Sequence, residues 1–332
     1  MRPDPASIID LASAYYGSSV LFAASDLGIF GMLARSGEAR SEAVAGSLGL
    51  NKRAATLLLD ACVAVGLLEK SNGCYRNTPA SAGYLVPGCP GDLSQAIRYN
   101  RDVYGAWHRL ADFARSGAPV ETPQLHLGAD PERTRTFVLS MHGRALGIGR
   151  AILSQLDLTG KKKLLDVGGG PGTYSVLIAR AHPQITCQVL DLPEVVHIAE
   201  ELIEQQGASE RVHTLPGDYH TAPFPEGNDV INFFGVLHQE SSDSIRDLFV
   251  RAYQALEPGG VIHVLDMMTE ESHTAPRFSA LFALTMALTT DHGWVFSSLE
   301  LKEWMERAGF TNFSVQPAVP PMPHWLATAY KR

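Results

Sequence analysis

Residues 164–172, Leu-Leu-Asp-Val-Gly-Gly-Gly-Pro-Gly, carry the strongest chemical signal in the chain. An apolar run ends in Asp166 and breaks into a turn containing Gly168, Gly169, Gly170 and Gly172; a helical pattern follows from 173. Glycines at such a turn let the backbone approach a ligand, and a helix start offers unpaired N–H groups to negative charge. The nicotinamide fingerprint G-x-G-x-x-G fails in both registers, because its third glycine falls on Thr173 or Ser175. The loop therefore suits a nucleotide-like ligand that is not a dinucleotide. Asp191 ends the next apolar run, 19 residues after Gly172. A carboxylate there can accept from both hydroxyls of a ribose, or serve only as a strand-end cap for the helix that follows. Asp218, in Pro-Gly-Asp-Tyr, ends a third run. It suits an adenine amino group, with Tyr219 against the ring.

Elements must hold these residues together. Apolar runs predict strands at 163–168, 185–190, 211–216, 228–233 and 260–266. Helical periodicity predicts helices at 173–182, 193–206, 242–256, 277–289 and 298–308. Strands at 312–317 and 324–330 close the chain, separated by Pro317, Pro320, Pro321 and Pro323. Alternating strands and helices imply an α/β fold, a mainly parallel sheet covered on both faces, with ligands at the carboxyl ends of the strands. The amino-terminal third reads differently. Apolar residues recur at helical spacing from Ile8 to Phe30. Residues 41–65 read as helix, turn, helix with Asn51 as N-cap, and 66–77 as a small hairpin, together a winged-helix pattern. Residues 91–150 look helical and connecting, with a single helix over 137–153 and prolines at 119, 123 and 131.

Winged helices often bind DNA, but residues 1–100 hold eight Lys/Arg against eight Asp/Glu, and the whole chain carries a net charge of −8. Neither offers the cationic surface that phosphates require, so no nucleic-acid partner is expected. The first domain is expected to pack helices between two subunits. Cys62, Cys74, Cys89 and Cys187 show no zinc or redox spacing and read as reduced thiols. No signal peptide and no apolar run of membrane-spanning length is read, so a cytoplasmic protein is expected.

Taken in series, Asp166-Val-Gly-Gly-Gly-Pro-Gly, Asp191-Leu192-Pro, Gly217-Asp218, Val236-Leu237-His238 and Pro258-Gly259-Gly260 resemble the ordered motifs of class I S-adenosylmethionine-dependent methyltransferases. Leu192-Pro and Leu237-His238, with the winged helix, narrow the resemblance to the small-molecule O-methyltransferases that include the caffeic acid and acetylserotonin enzymes. The resemblance covers nearly the whole chain. It implies a Rossmann-like domain with a seven-stranded, mainly parallel sheet at 156–332. It also implies a winged-helix dimerisation domain at 1–90, a helical connector at 91–155 that contributes to the substrate pocket, and a homodimer. The cofactor is then S-adenosyl-L-methionine. Asp166 and the glycine loop hold its amino-acid end, Asp191 and Leu192 its ribose, Asp218 and Tyr219 its adenine. His238 becomes the general base, since an imidazole ordinarily titrates near 6.5 and suits removal of a phenolic proton. Asp266 matches the first of two acids that orient this histidine. The second acid is missing, because its position is Val295 and Asp291 is out of register. A lysine four residues before the histidine is Phe234 here, and a tryptophan two residues after it is Glu240.

These departures leave three chemistries open: a His238–Asp266 dyad, an acceptor that arrives ionised, or a C-methylating or non-methylating reaction on the same scaffold. A cofactor-sensing winged-helix regulator is disfavoured by the neutral first domain. Phe278, Phe282 and Met286 share a helix face at four-residue spacing. With Trp107, Met141, His142 and Trp294 they map to pocket regions in the family and fit a flat, apolar, small-molecule acceptor, although such a stripe also suits a core. Arg144 suits an acidic anchor or, more simply, the surface. No metal-ligand spacing occurs, so a metal-independent reaction is expected.

Overall fold

The computed structural model describes residues 5–89, 91–123, 128–318 and 323–332. Two compact units emerge, Met1–Arg101 and Asp102–Arg332, so the 91–155 stretch is divided between them. The first unit contains α1 (Ala6–Ser13), α2 (Tyr15–Asp26), α3 (Ile29–Ser36), β1 (Ala39–Arg40), α4 (Ser41–Leu48), α5 (Lys52–Ala64), β2 (Leu68–Ser71), β3 (Cys74–Asn77), α6 (Pro79–Tyr84) and α7 (Ser94–Asp102). The 8–30 stretch, apolar at helical spacing, spans parts of three helices. The chain interrupts helix at Ala14 and again at Gly28, whose φ of +71° lies in the left-handed region that glycine tolerates. Asn51 caps α5 as its sequence predicts, its side chain accepting from the Ala54 N–H. The antiparallel sheet β1-β3-β2 forms the wing. Ile29, Phe30, Leu33, Val44, Leu59 and Tyr75 fill this unit's core.

The second unit continues with α8 (Tyr104–Trp107), α9 (Leu110–Ser116), α10 (Pro131–Ile152), β4 (Lys163–Val167), α11 (Thr173–Ala181), β5 (Thr186–Asp191), α12 (Pro193–Gln205), β6 (Val212–Pro216), β7 (Asn228–Phe234), α13 (Ser242–Ala255), β8 (Leu256–Asp266), α14 (Arg277–Thr289), α15 (Ser298–Arg307), β9 (Thr311–Pro317) and β10 (Trp325–Tyr330). Among the described residues these strands form one seven-stranded sheet of order β6-β5-β4-β7-β8-β10-β9. It is parallel from β6 to β8, and β10 runs antiparallel to both β8 and β9. Period-two alternation separates its faces. Leu165, Ile231, Phe233, Ile262 and Val264 pack beneath α13 and α15. Leu164, Val230, Phe234, Val261 and Leu265 pack beneath α10, α11 and α12. The connections reverse direction at β4, which lies between β5 and β7, so the crevice for a ligand opens at the carboxyl ends of these strands.

Two boundaries move from their sequence-based places. Helix α10 starts at Pro131, six residues before Phe137, because Asp130 caps it by accepting from Glu132 and Arg133 N–H and a proline is tolerated at the first helical position. Strand β8 starts at Leu256 and carries Pro258-Gly259-Gly260 within it, with the pairing register to β7 shifting there.

Candidate active site

The glycine loop leaves β4 with Gly168, Gly170 and Gly172 at φ of +64°, +52° and +68°. Its glycines do different work. A Cβ on Gly168 would meet Val236 Cγ2 at 2.7 Å, and one on Gly169 would meet Asp166 Cγ at 2.8 Å, whereas one on Gly170 would meet nothing within 4 Å. The loop is thus pressed onto its supports at 168 and 169 and open above 170. Asp166 is fully buried beneath it and accepts from Ser175 Oγ at 2.7 Å. Its Oδ1 has no partner among the described residues. Burial pushes this carboxyl up to about 7, the Ser175 bond opposing and Asp191 adding to the rise. Asp191 reaches the loop from the end of β5. Its Oδ2 accepts from Gly170 N–H at 2.7 Å and its Oδ1 from Leu192 N–H at 2.8 Å. Burial pushes it up to about 6 against those two bonds. Beyond β6, Asp218 Oδ1 accepts from the backbone N–H of His220 at 2.9 Å and lies 2.7 Å from its Nδ1. The Tyr219 ring comes within 3.4 Å of the Gly168 Cβ position, and its hydroxyl donates to Glu240 at 2.7 Å.

His238 follows β7 in a short 3-10 turn, Leu237–Gln239. Its Nδ1 lies 2.6 Å from Asp266 Oδ1, at the end of β8, and its backbone N–H donates to Asp266 Oδ2 at 3.2 Å. Asp266 is 1% exposed. A carboxylate only accepts, so in the neutral imidazole Nδ1 carries the proton and Nε2 the lone pair. The Phe282 ring on α14 meets the His238 ring edge to face at 5.2 Å, and Phe278 stacks on Phe282 at 6.2 Å. Met286 is buried on the same helix, Phe278 is half exposed, and α8, with Trp107, packs against α14. Trp294 fixes the histidine's turn: its backbone N–H donates to His238 O at 2.9 Å and its indole N–H to Glu240 O at 2.9 Å. His142, on α10, has its Nδ1 2.7 Å from Thr173 Oγ1, at the first turn after the glycine loop. Met141 is half-buried beside it on α10. Val295 is buried and apolar, and Phe234 packs on Tyr174 at 5.0 Å. Among the described residues no cluster of metal-ligating side chains occurs.

This donor set fits S-adenosylmethionine. A fully buried carboxylate with an orphaned oxygen, a second, half-buried acid at Asp191, both raised in pKa by desolvation, and open space above Gly170 match a ligand that brings an ammonium and sugar hydroxyls. Residues 114–311 match the O-methyltransferase domain family and residues 9–87 the O-methyltransferase dimerisation domain. The chain belongs to the O-methyltransferase family. It is 32% identical to 3-hydroxy-5-methyl-1-naphthoate 3-O-methyltransferase of Streptomyces sahachiroi, over 92% of this chain and 89% of that one. It is 31% identical to the N,N-dimethyltransferase OxyT of Streptomyces rimosus, over 98% and 96%. Human N-acetylserotonin methyltransferase in complex with S-adenosylmethionine superposes with a TM-score of 0.89 at 28% identity, covering 99% of each chain. The protein is an O-methyltransferase that uses S-adenosyl-L-methionine.

Sequence reasoning missed two members of this methyltransferase's site region, His324 and His220. His324 directly precedes Trp325, which pairs with Asp266 across β10 and β8. It is 8% exposed and its Nδ1 has no partner among the described residues. Burial pushes it down to about 3, with Arg144 adding to the fall. Arg144, read from the sequence as an acidic anchor or a surface residue, is half-buried in this environment. His220 was visible only as the residue after a recognised motif. Its second contact, to Glu240 twenty residues on, left no local signal.

Proposed function

We propose that this enzyme methylates a phenolic hydroxyl of a small, flat, apolar natural-product acceptor, with His238 as general base held by Asp266, and that it works as a homodimer. The carrying observation is the 2.6 Å His238 Nδ1–Asp266 bond. It fixes the tautomer and leaves Nε2 as the proton acceptor. When bound, S-adenosylmethionine supplies an electrophilic methyl group on a sulfonium.

The residues of the chain then divide the work. Asp166, through its orphaned oxygen, and the Gly168–Gly172 turn hold the amino-acid end. Asp191 holds the ribose, and Asp218 with Tyr219 the adenine. Phe278, Phe282 and Met286, with Trp107, offer an apolar wall against which a flat ring is oriented. Rate then comes from alignment of the acceptor oxygen together with proton removal. Asp266 stabilises the imidazolium formed when His238 takes the proton. Val295 supplies no second acid, so the dyad acts alone. The naphthoate enzyme supports an aromatic hydroxyl acceptor, and OxyT supports an amine as the second reading.

Methyl-labelled cofactor incubated with matched phenols and anilines separates these readings. Label on oxygen, lost in His238→Ala, is the expected result. Label on nitrogen alone, or a rate unchanged in His238→Ala at every pH, refutes it. Activity is expected to persist in EDTA.

A further inference from the structure

Glu240 stands where relatives were expected to carry tryptophan, and it is 6% exposed. Four groups converge on it. Tyr219 OH donates to its Oε1 at 2.7 Å. Ser244 Oγ donates to its Oε2 at 2.5 Å, and His220 Nε2 lies 2.9 Å from the same oxygen. The Trp294 indole holds its carbonyl. The other nitrogen of His220 faces Asp218 Oδ1 at 2.7 Å. Both ring nitrogens of one imidazole therefore face carboxylate oxygens. A neutral imidazole donates from one nitrogen only, and a carboxylate donates from none, so only the imidazolium makes both bonds.

We propose that His220, held by buried Glu240, is a proton-dependent positioning residue that fixes Asp218 for the adenosine end of the cofactor. The two bonds from His220 to Asp218 both fall on Oδ1 and neither on Oδ2. The clamp thus immobilises the carboxylate while keeping one oxygen for a ligand. Arg251, on α13, holds the backbone of the same turn by donating to the carbonyls of Tyr219, at 2.7 Å, and of Ala222. The charged and titratable groups around His220 are Asp218 in its own turn, Glu240 after β7, and Arg251 with Asp247 on α13. Tyr219 completes the set and is itself coupled to Asp191 and Glu240. Burial works to lower the His220 pKa, but the bonds to Glu240 and Asp218 outweigh it and the net shift is upward. A raised histidine pKa means the clamp is intact below about 6.5 and is lost as pH rises through the higher folded value. Asp218 is lowered overall, the His220 and Arg251 contributions overcoming its own burial. It is therefore ionised throughout that range.

The inference rests on the adenosine end binding at Asp218, as set out under Proposed function. Calorimetric titration with S-adenosylhomocysteine, which lacks the sulfonium charge, reads it without any acceptor. His220→Asn is expected to weaken the Kd roughly three- to tenfold at pH 6, the cost of ordering one freed side chain. The ratio of variant to wild-type Kd should fall towards one at pH 9, with kcat at saturating cofactor unchanged. Proton linkage gives a second reading. Above pH 6.5, buffers of different ionisation enthalpy should reveal more proton uptake on binding by the wild type than by His220→Asn, because the ligand favours the charged form of His220. A ratio of one at pH 6, a ratio independent of pH, or equal proton uptake by the two proteins from pH 6.5 to 9 overturns the proposal. Asp218→Asn separates it from the reading beneath it. If that variant binds as wild type, the adenosine placement fails and this inference with it. If it binds weakly while His220→Asn does not, only the inference fails.

Discussion

An imidazole bonded through Nδ1 to a buried acid has its ring orientation and tautomer settled before any acceptor arrives. That is the state of His238 against Asp266. His238→Ala is expected to lower kcat by about 10²–10⁴-fold, the range for loss of a general base. Its cofactor Kd, read by calorimetry, should not change. Asp266→Asn keeps the size but offers an amide in place of the charge. It should cost about 10–100-fold in kcat, matching one hydrogen bond to a charged group. If Asp266→Asn turns over as wild type, Asp266 has no orienting role. Asp166 has a different signature, because its pKa is raised by burial to about 7 from 3.8. The folded protein holds that proton while the unfolded chain releases it. The stability this contributes is present below about 3.8 and is lost as pH rises to about 7. Asp166→Asn removes the titration. The unfolding temperature of the ligand-free variant relative to wild type should rise between pH 5 and pH 8. A difference constant across that range would show that Asp166 does not titrate there.

The glycine loop makes the matching argument for an element. At Gly168 a left-handed φ coincides with a Cβ position 2.7 Å from Val236, so Gly168→Ala strains the backbone and displaces a packed side chain. A loss of about 1–3 kcal/mol in stability is expected in chemical denaturation. At Gly170 the φ of +52° is left-handed but the space is open. Gly170→Ala should cost only about 1–2 kcal/mol yet weaken cofactor binding strongly, because the methyl group enters the cradle. Equal effects of the two substitutions on both readouts would refute this division. Such a loop is legible in sequence, because strand alternation, a glycine turn and a helix start are all local patterns. The same locality explains Asp191 and Asp218 at strand ends, and Asn51 at its cap. It also explains the failures. Ala14 carries no breaker signal, so the interruption of the first helix cannot be read from it. Pro131 reads as a stop until Asp130 is seen capping the helix it begins. The Tyr219, His220 and Glu240 contacts join residues about twenty apart through the turn after β7, and no periodicity encodes them. Trp294 likewise reads as a pocket aromatic, while its two N–H groups hold the histidine's turn.

At the scale of the molecule, the two units are unlike in what they leave exposed. The proposed cofactor and base residues all belong to the second unit, residues 102–332. The first unit presents apolar side chains to solvent along its opening helices. Ile8, Ile9, Leu11, Tyr15 and Tyr16 are 71%, 62%, 65%, 51% and 60% exposed, and α1 buries none of its residues. A monomer rarely shows such a run of apolar surface unless a partner covers it. The stretch from residue 9 lies within the matched dimerisation domain, and a second copy of the chain is the occupant that domain's name implies. Replacing Leu11 and Tyr16 together by glutamate puts two charges on that surface, where burial without a partner charge is costly. In sedimentation equilibrium the wild type is expected at twice the chain mass of 35.9 kDa and the double variant at once. Neither residue is buried in its own unit. The variant should therefore keep its circular dichroism, and with it the fold on which the second unit's affinity for S-adenosylhomocysteine depends. A double variant that remains a dimer would move the interface off α1 and α2.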